Sequence, residues 1–253
     1  MKIKFLLLNV SLFTLTTLSA NSALAEDSPT HVGHDSLIPI EGGSSTMAKR
    51  YLPLLHIGDG CQPYTAVDQH GNWSEGLLDT GGNGSMCSLD TRIQVYVRGT
   101  KINNNVHAIM YAYYFPKDNG YLLPKIGHRH DWEYVMVFVE NYNDSYNSNE
   151  EKIIGAVYSA HGGLSSSDDP NRGGNNNTHI YINYDFHRSV THSFAEGSEG
   201  SVTKHKPVLW TNLSSEAQNS LNIRDFGNAV VPVRDRDNKF NDEVAKAKSE
   251  LGF

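Results

Sequence analysis

Short segments rich in β-branched and aromatic residues, divided by polar and glycine-rich turns, constrain the fold of this 253-residue chain most strongly. Most of them are apolar at consecutive positions and too short for buried helices, which is typical of central strands covered on both faces. One segment alternates apolar and polar residues, as a half-buried strand does. The predicted strands are residues 93–97 (the alternating segment), 106–115, 132–139, 153–159 and 180–184.

Helical signals are few and come late in the chain. The candidate N-caps and approximate helix ends are Ser214 or Ser215 with Leu221, and Asn241 or Asp242 with Leu251. Residues 162–177 show no periodicity and are predicted to form a long mobile surface loop. Because no repeat or linker divides the chain, the sequence predicts a mainly β (α+β) fold, a single-domain β-sandwich flanked by peripheral helices.

The first 25 residues have the features of a secretory signal peptide. A basic start with Lys2 and Lys4 precedes an interrupted apolar run over residues 5–18, and small residues stand before Glu26. The run is shorter than the roughly 20 apolar residues of a membrane-spanning helix, and no later segment is a candidate span. We therefore expect a secreted, extracellular domain over residues 26–253 that is monomeric in solution.

Charge excludes one class of function. The chain carries 21 Lys plus Arg against 28 Asp plus Glu, a formal charge of −7, and removing residues 1–25 deletes two lysines and no acid, giving −9. Proteins that neutralise nucleic-acid phosphates, or adhere to anionic lipid through a polybasic surface, carry the opposite excess. We expect no nucleic-acid partner.

The two cysteines of the chain are predicted to form one disulfide. In an oxidising destination Cys61 and Cys87 have only each other as intramolecular partners. The bond would close a loop of about 27 residues and contribute about 3.5 kcal/mol on the chain-entropy model. A catalytic thiol pair is the alternative, although the spacing is unlike Cys-x-x-Cys.

Residues able to bind a cation are concentrated between two predicted strands. They are Asp118, followed after a short loop by His128, Asp131 and Glu133 within the heptapeptide GHRHDWE. In a straight strand His128 faces away from Asp131 and Glu133, so these side chains can converge only if the chain turns between them, with Gly127 as a place for the turn to start. His130, at the alternate position, is expected to point away and hydrogen-bond within the fold.

The chemistry of these four side chains favours a hard cation. Three carboxylates and one imidazole suit Ca²⁺, Mg²⁺ or Mn²⁺, with waters completing the coordination. The pair His128 and His130 keeps zinc open as an alternative. A second alternative is a solvated rim in which these acids merely pair with Arg129 and Lys125.

The heptapeptide, preceded by AIMYAYYFPKD, resembles the signature of the necrosis- and ethylene-inducing peptide 1-like proteins, the NPP1-domain cytolysins. The resemblance extends over nearly all of residues 26–253. Its further stretches are HDSLIPI, LLHIGDGCQPYTAVDQHGNWSEGL, MCSLDTRIQVYVRG, YSAHG, VTHSF, PVLW and DFGNAVVPVRD.

The resemblance implies more than the residues alone. It implies an actinoporin-like β-sandwich with a divalent cation (Ca²⁺ or Mg²⁺) held in an acidic surface cavity by Asp118, His128, Asp131 and Glu133. It also implies binding to headgroups of plant glycosyl inositol phosphoryl ceramide sphingolipids, then damage to the plasma membrane of eudicots without catalytic turnover. The position of VTHSF assigns a headgroup contact to His192, and His161 and Arg129 are further candidates.

Two other functions stay open at this point. The first is a metal-dependent secreted hydrolase in which His128 and His130 hold an activated water. The second is a noncytotoxic family member that acts as a glycan- or lipid-binding module. Peripheral contact with a membrane, without a transmembrane helix, is common to the cytolysin and the binding module.

Overall fold

The structure is a computed structural model that describes residues 28–41, 46–82, 84–119, 127–143, 150–186, 191–201 and 204–253. The predicted signal peptide at residues 1–25, and Lys125 beside the predicted cation site, lie outside these ranges. Both stay predictions, as does the boundary at residue 26.

Twelve strands and three α-helices are present in the described residues. The strands are β1 His31–Val32, β2 Leu54–Ile57, β3 Trp73–Ser74, β4 Gln94–Lys101, β5 Val106–Asn119, β6 Gly127–Glu140, β7 Lys152–Ala160, β8 Gly163–Ser167, β9 Arg172–Gly173, β10 His179–Phe186, β11 His192–Glu196 and β12 Lys206–Leu209. The helices are α1 Thr46–Arg50, α2 Ser215–Ile223 and α3 Lys239–Glu250.

The longer strands form two sheets packed on each other. The larger sheet has the order β12-β4-β5-β6-β7-β8, in which only the β12–β4 pair is parallel. The smaller sheet has β10 at its centre, between β11 and β2, and β9 also pairs with β10. Because β11 lies against β6 and β7 of the larger sheet, the two sheets form a sandwich, which confirms the predicted fold class.

The predicted strands exist, and most extend beyond the predicted ends. β5 and β6 continue to Asn119 and begin at Gly127, so the heptapeptide belongs to a strand. β4 is buried on both faces near its start, and its prediction as half-buried was wrong. The reason is Tyr96, whose hydroxyl accepts hydrogen bonds from the backbone N–H groups of Ala66 and Val67 across the outer face (2.9 and 3.1 Å).

The expectation of a long loop over residues 162–177 was wrong. β8 pairs antiparallel with β7, and β9 pairs with β10, so backbone hydrogen bonds order a segment that carries no apolar periodicity. A strand at a sheet edge is held by its neighbour's backbone, a contact that local sequence does not encode.

The two predicted helices are present, with one start misplaced. Ser214 caps α2 by accepting a hydrogen bond from the Ala217 backbone N–H (3.1 Å), as predicted. α3 begins at Lys239, before the predicted caps, after Asn238 in a left-handed conformation (φ 56°). None of the helices in the described ranges is long and apolar enough to cross a membrane.

The predicted disulfide between Cys61 and Cys87 is confirmed. Both cysteines are buried, and the backbone N–H of Gln62 donates to the Cys87 carbonyl (2.9 Å). The bond therefore fixes the segment that follows β2, which includes Gly60 beside the site described below.

Acid should destabilise the protein partly through His205, a largely buried histidine whose Nδ1 has no hydrogen-bond partner among the described residues. Burial lowers the pKa of His205 to about 4 from 6.5. As the pH falls from about 6.5 to about 4, the unfolded chain takes up a proton that the folded chain does not, so stability decreases through this window by at most about 3 kcal/mol. Urea unfolding of His205→Phe across this window should show a shallower loss than wild type. The same change at exposed His70 is the control, and an equal effect of both would contradict the prediction.

Candidate functional site

A break in the alternation of β6 brings the predicted cation-binding side chains together. His128, Asp131 and Glu133 line one cavity, although His128 and Asp131 stand three residues apart. Between them His130 adopts a left-handed conformation (φ 62°), which is rare for a residue with a side chain. This conformation interrupts the alternation of side chains, so that His128 and Asp131 lie on the same side of the strand. The turn predicted to start at Gly127 therefore occurs at His130 instead.

His130 itself points away from the cavity, as its strand position indicated. Its Nδ1 is hydrogen-bonded to the Tyr114 hydroxyl (2.7 Å), and the residue is buried. Since His128 and His130 do not reach the same site, the zinc arrangement that would use both is not formed. Burial, with the charge of neighbouring Arg129, lowers the pKa of His130 to about 4, so it is neutral near pH 7.

The cavity has a volume of about 400 Å³ and is open to the surface. Its acidic wall consists of Asp118 from β5 and Asp131 and Glu133 from β6, with His128 beside them. The remaining surface comes from the β7–β8 turn, the start of β11, the segment 228–232 and α3. Two sheets and a helix therefore enclose it.

The carboxylates of the acidic wall are buried and repel one another. Asp118, Asp131 and Glu133 are 2, 7 and 6% exposed. Burial, reinforced by Asp118, raises the pKa of Asp131 to about 7; burial and the charge of Asp131 raise the pKa of Glu133 well above its usual value. No Lys or Arg in the described parts of the chain forms an ion pair with these three acids.

Each of these carboxylates is instead held by hydrogen bonds from one residue behind it. The Tyr184 hydroxyl donates to Asp131 (3.0 Å), and the Ser159 hydroxyl donates to Glu133. Asp118 accepts from both the backbone N–H (3.0 Å) and the ring Nδ1–H (2.5 Å) of His192. We call Ser159, Tyr184 and His192 the supporting donors; sequence reasoning missed the first two because they come from β7 and β10, far from the heptapeptide.

The tautomer of His128 leaves one ring nitrogen for a ligand. Its Nδ1 lies 2.7 Å from the His130 carbonyl, which can only accept, so Nδ1 carries the proton. In the neutral ring Nε2 is therefore unprotonated, and it lies 3.8 Å from an Asp118 oxygen. An imidazole oriented by a backbone carbonyl in this way is a common arrangement at metal sites.

The three candidates for headgroup contact occupy different places. His161 lies exposed on the cavity rim, with Nδ1 at 3.2 Å from the Thr191 hydroxyl. His192 borders the cavity but is only 2% exposed, because its ring lies between Tyr184 and Phe186 and its Nδ1 points to Asp118. Arg129 lies outside the cavity lining, with its guanidinium donating to the Glu75 carbonyl (2.6 Å). Of these three candidates, His161 is the one whose side chain is exposed at the cavity.

A second charged wall of the cavity was not predicted from sequence. Lys239, Glu243 and Lys246 share one face of α3 at helical spacing and line the cavity. Both ammonium groups pair with the same Glu243 oxygen, and the Tyr134 hydroxyl donates to the other. We call Lys239 and Lys246 the lysine wall.

The acidic wall has the composition that a hard divalent cation requires. Oxygen donors dominate it, and the repulsion between its buried carboxylates is the cost that a bound cation would remove. Within the described residues, no three His, Cys, Asp or Glu side chains already stand around a common point as ion ligands. The carboxylates are hydrogen-bonded to the supporting donors instead. Their chemistry fits a cation, while their side-chain conformations in this structure are those of the hydrogen-bonded state.

Comparison with known proteins gives consistent results. Residues 45–247 match the family model described as necrosis inducing protein (NPP1). NLP effector protein 10 of Phytophthora capsici is 35% identical over 222 residues, covering 85% of this chain and 91% of the relative.

Solved structures agree in fold. A structure titled NLPPya in complex with mannosamine has a TM-score of 0.74 at 31% identity, covering 86% of this chain and 98% of that one. Another, titled as the non-toxic HaNLP3 protein, has a TM-score of 0.73 at 33% identity, covering 85 and 98%.

Proposed function

The chain belongs to the NPP1 family of necrosis-inducing proteins, and on that basis we propose that it is a secreted, cation-dependent glycan-binding cytolysin. Its partners would be the sugar headgroups of plant plasma-membrane sphingolipids of the glycosyl inositol phosphoryl ceramide class, a proposal that extends the family membership. Binding would precede membrane damage, necrosis and defence responses in eudicots. The protein would act at the outer surface of the host plasma membrane.

One observation carries the proposal: three buried carboxylates and an oriented imidazole face a surface cavity, and no Lys or Arg among the described residues pairs with these carboxylates. Such an arrangement is unfavourable unless a cation is bound, because buried like charges repel one another. A relative of the same fold is titled as a complex with mannosamine, which supports a saccharide as the ligand.

The roles of the residues follow from their placement. Asp118, Asp131, Glu133 and the Nε2 of His128 would hold the cation, with Ca²⁺ and Mg²⁺ as the ions that suit these donors. The bound cation would supply positive charge for sugar hydroxyls or an intervening water. His161 on the rim would add a hydrogen bond to the sugar, and the supporting donors would keep the carboxylates in place.

Removing one carboxylate of the acidic wall should abolish cation-dependent membrane attack. We expect wild-type protein with Ca²⁺ or Mg²⁺ to release dye from vesicles that contain glycosyl inositol phosphoryl ceramide, and chelation with EDTA to stop release. Asp131→Asn should fold and show neither cation binding by calorimetry nor release, because the amide cannot replace the charge. Asp168→Asn removes an exposed acid outside the cavity lining and should behave as wild type.

Each result of this experiment decides between functions. Full dye release by folded Asp131→Asn would exclude the cation mechanism. Cation-dependent binding to the vesicles without release would identify a noncytotoxic binding module. A solved structure of the same fold is titled as a non-toxic protein, which is the reason to keep this outcome in the test.

The hydrolase alternative has less structural support. It used His128 and His130 to hold one activated water, and the structure turns His130 toward Tyr114 instead. Detecting sugar or phosphate release from the same vesicles, at protein concentrations that cause leakage, would restore it.

A further inference from the structure

The lysine wall faces the same cavity as the acidic wall but is kept separate from it. Lys239 and Lys246 pair with Glu243 on their own helix, while no ion pair joins either lysine to Glu133, Asp131 or Asp118. If the lysines served to neutralise the acidic wall, they would be expected to pair with it. The cavity therefore has two poles of opposite charge.

The positive pole is held in place and carries a surplus charge. Glu243 is 4% exposed and is fixed from below by the Tyr134 hydroxyl, so the carboxylate that positions both lysines is itself anchored. Two ammonium groups share this single carboxylate, which leaves a net charge of about +1 at the wall, since each carries one positive charge. The Lys246 side chain is 54% exposed and keeps donors free for a ligand.

We propose that the lysine wall is an anion subsite that makes the cavity select an acidic saccharide over a neutral one. This inference rests on the proposed function, in which sugar hydroxyls face the cation at the acidic wall. A carboxylate or phosphate ester on the same saccharide would then pair with Lys246 and Lys239. A cavity of about 400 Å³ is in the range of small-molecule sites, so one sugar can meet both poles.

A matched pair of sugars tests this selection. Methyl glucuronide and methyl glucoside differ only at C6, where one carries a carboxylate and the other a hydroxymethyl group. With Ca²⁺ or Mg²⁺ present, NMR titration of wild type should give about tenfold tighter binding of the acid, equivalent to about 1.4 kcal/mol, and the preference should shrink as salt is added. Titration with glucose 6-phosphate tests a phosphate ester in place of the carboxylate and shows which of the two anions the subsite binds more tightly.

Single lysine variants keep the fold while removing the surplus charge. Lys246→Gln leaves Lys239 to pair with buried Glu243, and it should bind both methyl glycosides within about twofold of each other with unchanged affinity for the neutral one. Lys246→Arg should retain the preference. Lys248→Gln makes the same charge change on α3 outside the cavity lining and should also retain it.

The outcomes separate this inference from the proposed function. Equal binding of the acid and the neutral sugar by wild type, or an undiminished preference in both Lys246→Gln and Lys239→Gln, would overturn the anion subsite alone. Absence of cation-dependent binding of every sugar would overturn both proposals. Thermal unfolding of each variant, expected near wild type, verifies that the comparison concerns folded protein.

Discussion

Glu133→Gln should raise the melting temperature of the cation-free protein, whereas Glu243→Gln should lower it. Both glutamates are buried and line the same cavity, at 6 and 4% exposed. Their surroundings differ in charge. Glu133 faces Asp131 and Asp118 and accepts a hydrogen bond from the Ser159 hydroxyl, while Glu243 pairs with two ammonium groups.

The opposite signs follow from the electrostatics of the two sites. Burial and the charge of Asp131 raise the pKa of Glu133 well above its usual value, so its ionised form is costly. Burial alone would also raise the pKa of Glu243, but hydrogen bonds from Lys239, Tyr134 and Lys246 lower it overall. Glutamine can still accept from Ser159 at position 133. At position 243 glutamine would leave Lys239 and Lys246 without a counter-charge.

We expect changes of about 2 kcal/mol in each direction, or shifts of about 5 °C, from the cost of an unpaired buried charge. The measurement is calorimetric unfolding of both variants in EDTA and again with Ca²⁺ or Mg²⁺. Glu133→Gln should lose most of the stabilisation that wild type gains from the cation, and Glu243→Gln should keep it. Destabilisation by Glu133→Gln in EDTA would contradict the reading of the acidic wall as a strained carboxylate cluster.

His192→Phe should weaken cation binding by about 10- to 100-fold. This is the usual consequence of losing the hydrogen bond that orients a metal-ligating side chain, here Asp118. His192 is almost fully buried, and its ring donates to Asp118 while lying between Tyr184 and Phe186. Phenylalanine preserves the aromatic packing and removes the donor. Gly60 lies against the opposite edge of the ring, where a Cβ would approach Nε2 to 2.8 Å, so the ring has little freedom to move.

Calorimetric titration with Ca²⁺ and Mg²⁺ separates this role from a direct contact with the sugar. His161→Phe makes the same substitution on the cavity rim and should leave cation affinity unchanged while weakening saccharide binding. His192→Asn, whose amide can donate near the position of Nδ1, should recover part of the affinity. Normal cation affinity in folded His192→Phe would show that Asp118 does not depend on this donor.

Strand content and the carboxylate set could be predicted from sequence because both are local. The apolar segments that form β5, β6, β7 and β10 indicate burial on both faces of these strands. The heptapeptide contains two of the three acids of the acidic wall. β8 escaped prediction because its order comes from hydrogen bonds to β7, not from its own residues. The roles of Ser159 and Tyr184 could not be predicted because these residues reach the acidic wall from β7 and β10, far from the heptapeptide in sequence.

Sequence by itself determined that this chain is a β-sandwich of the NPP1 family, with one disulfide and an acid-rich motif at the ends of two strands. Tertiary structure decided which of those residues face the cavity. The left-handed backbone at His130 turns His128 and Asp131 to one side, the packing of β11 withdraws His192 from the surface, and α3 brings a lysine wall opposite the carboxylates. Facing and burial depend on contacts between segments far apart in the chain, and a local pattern cannot specify them.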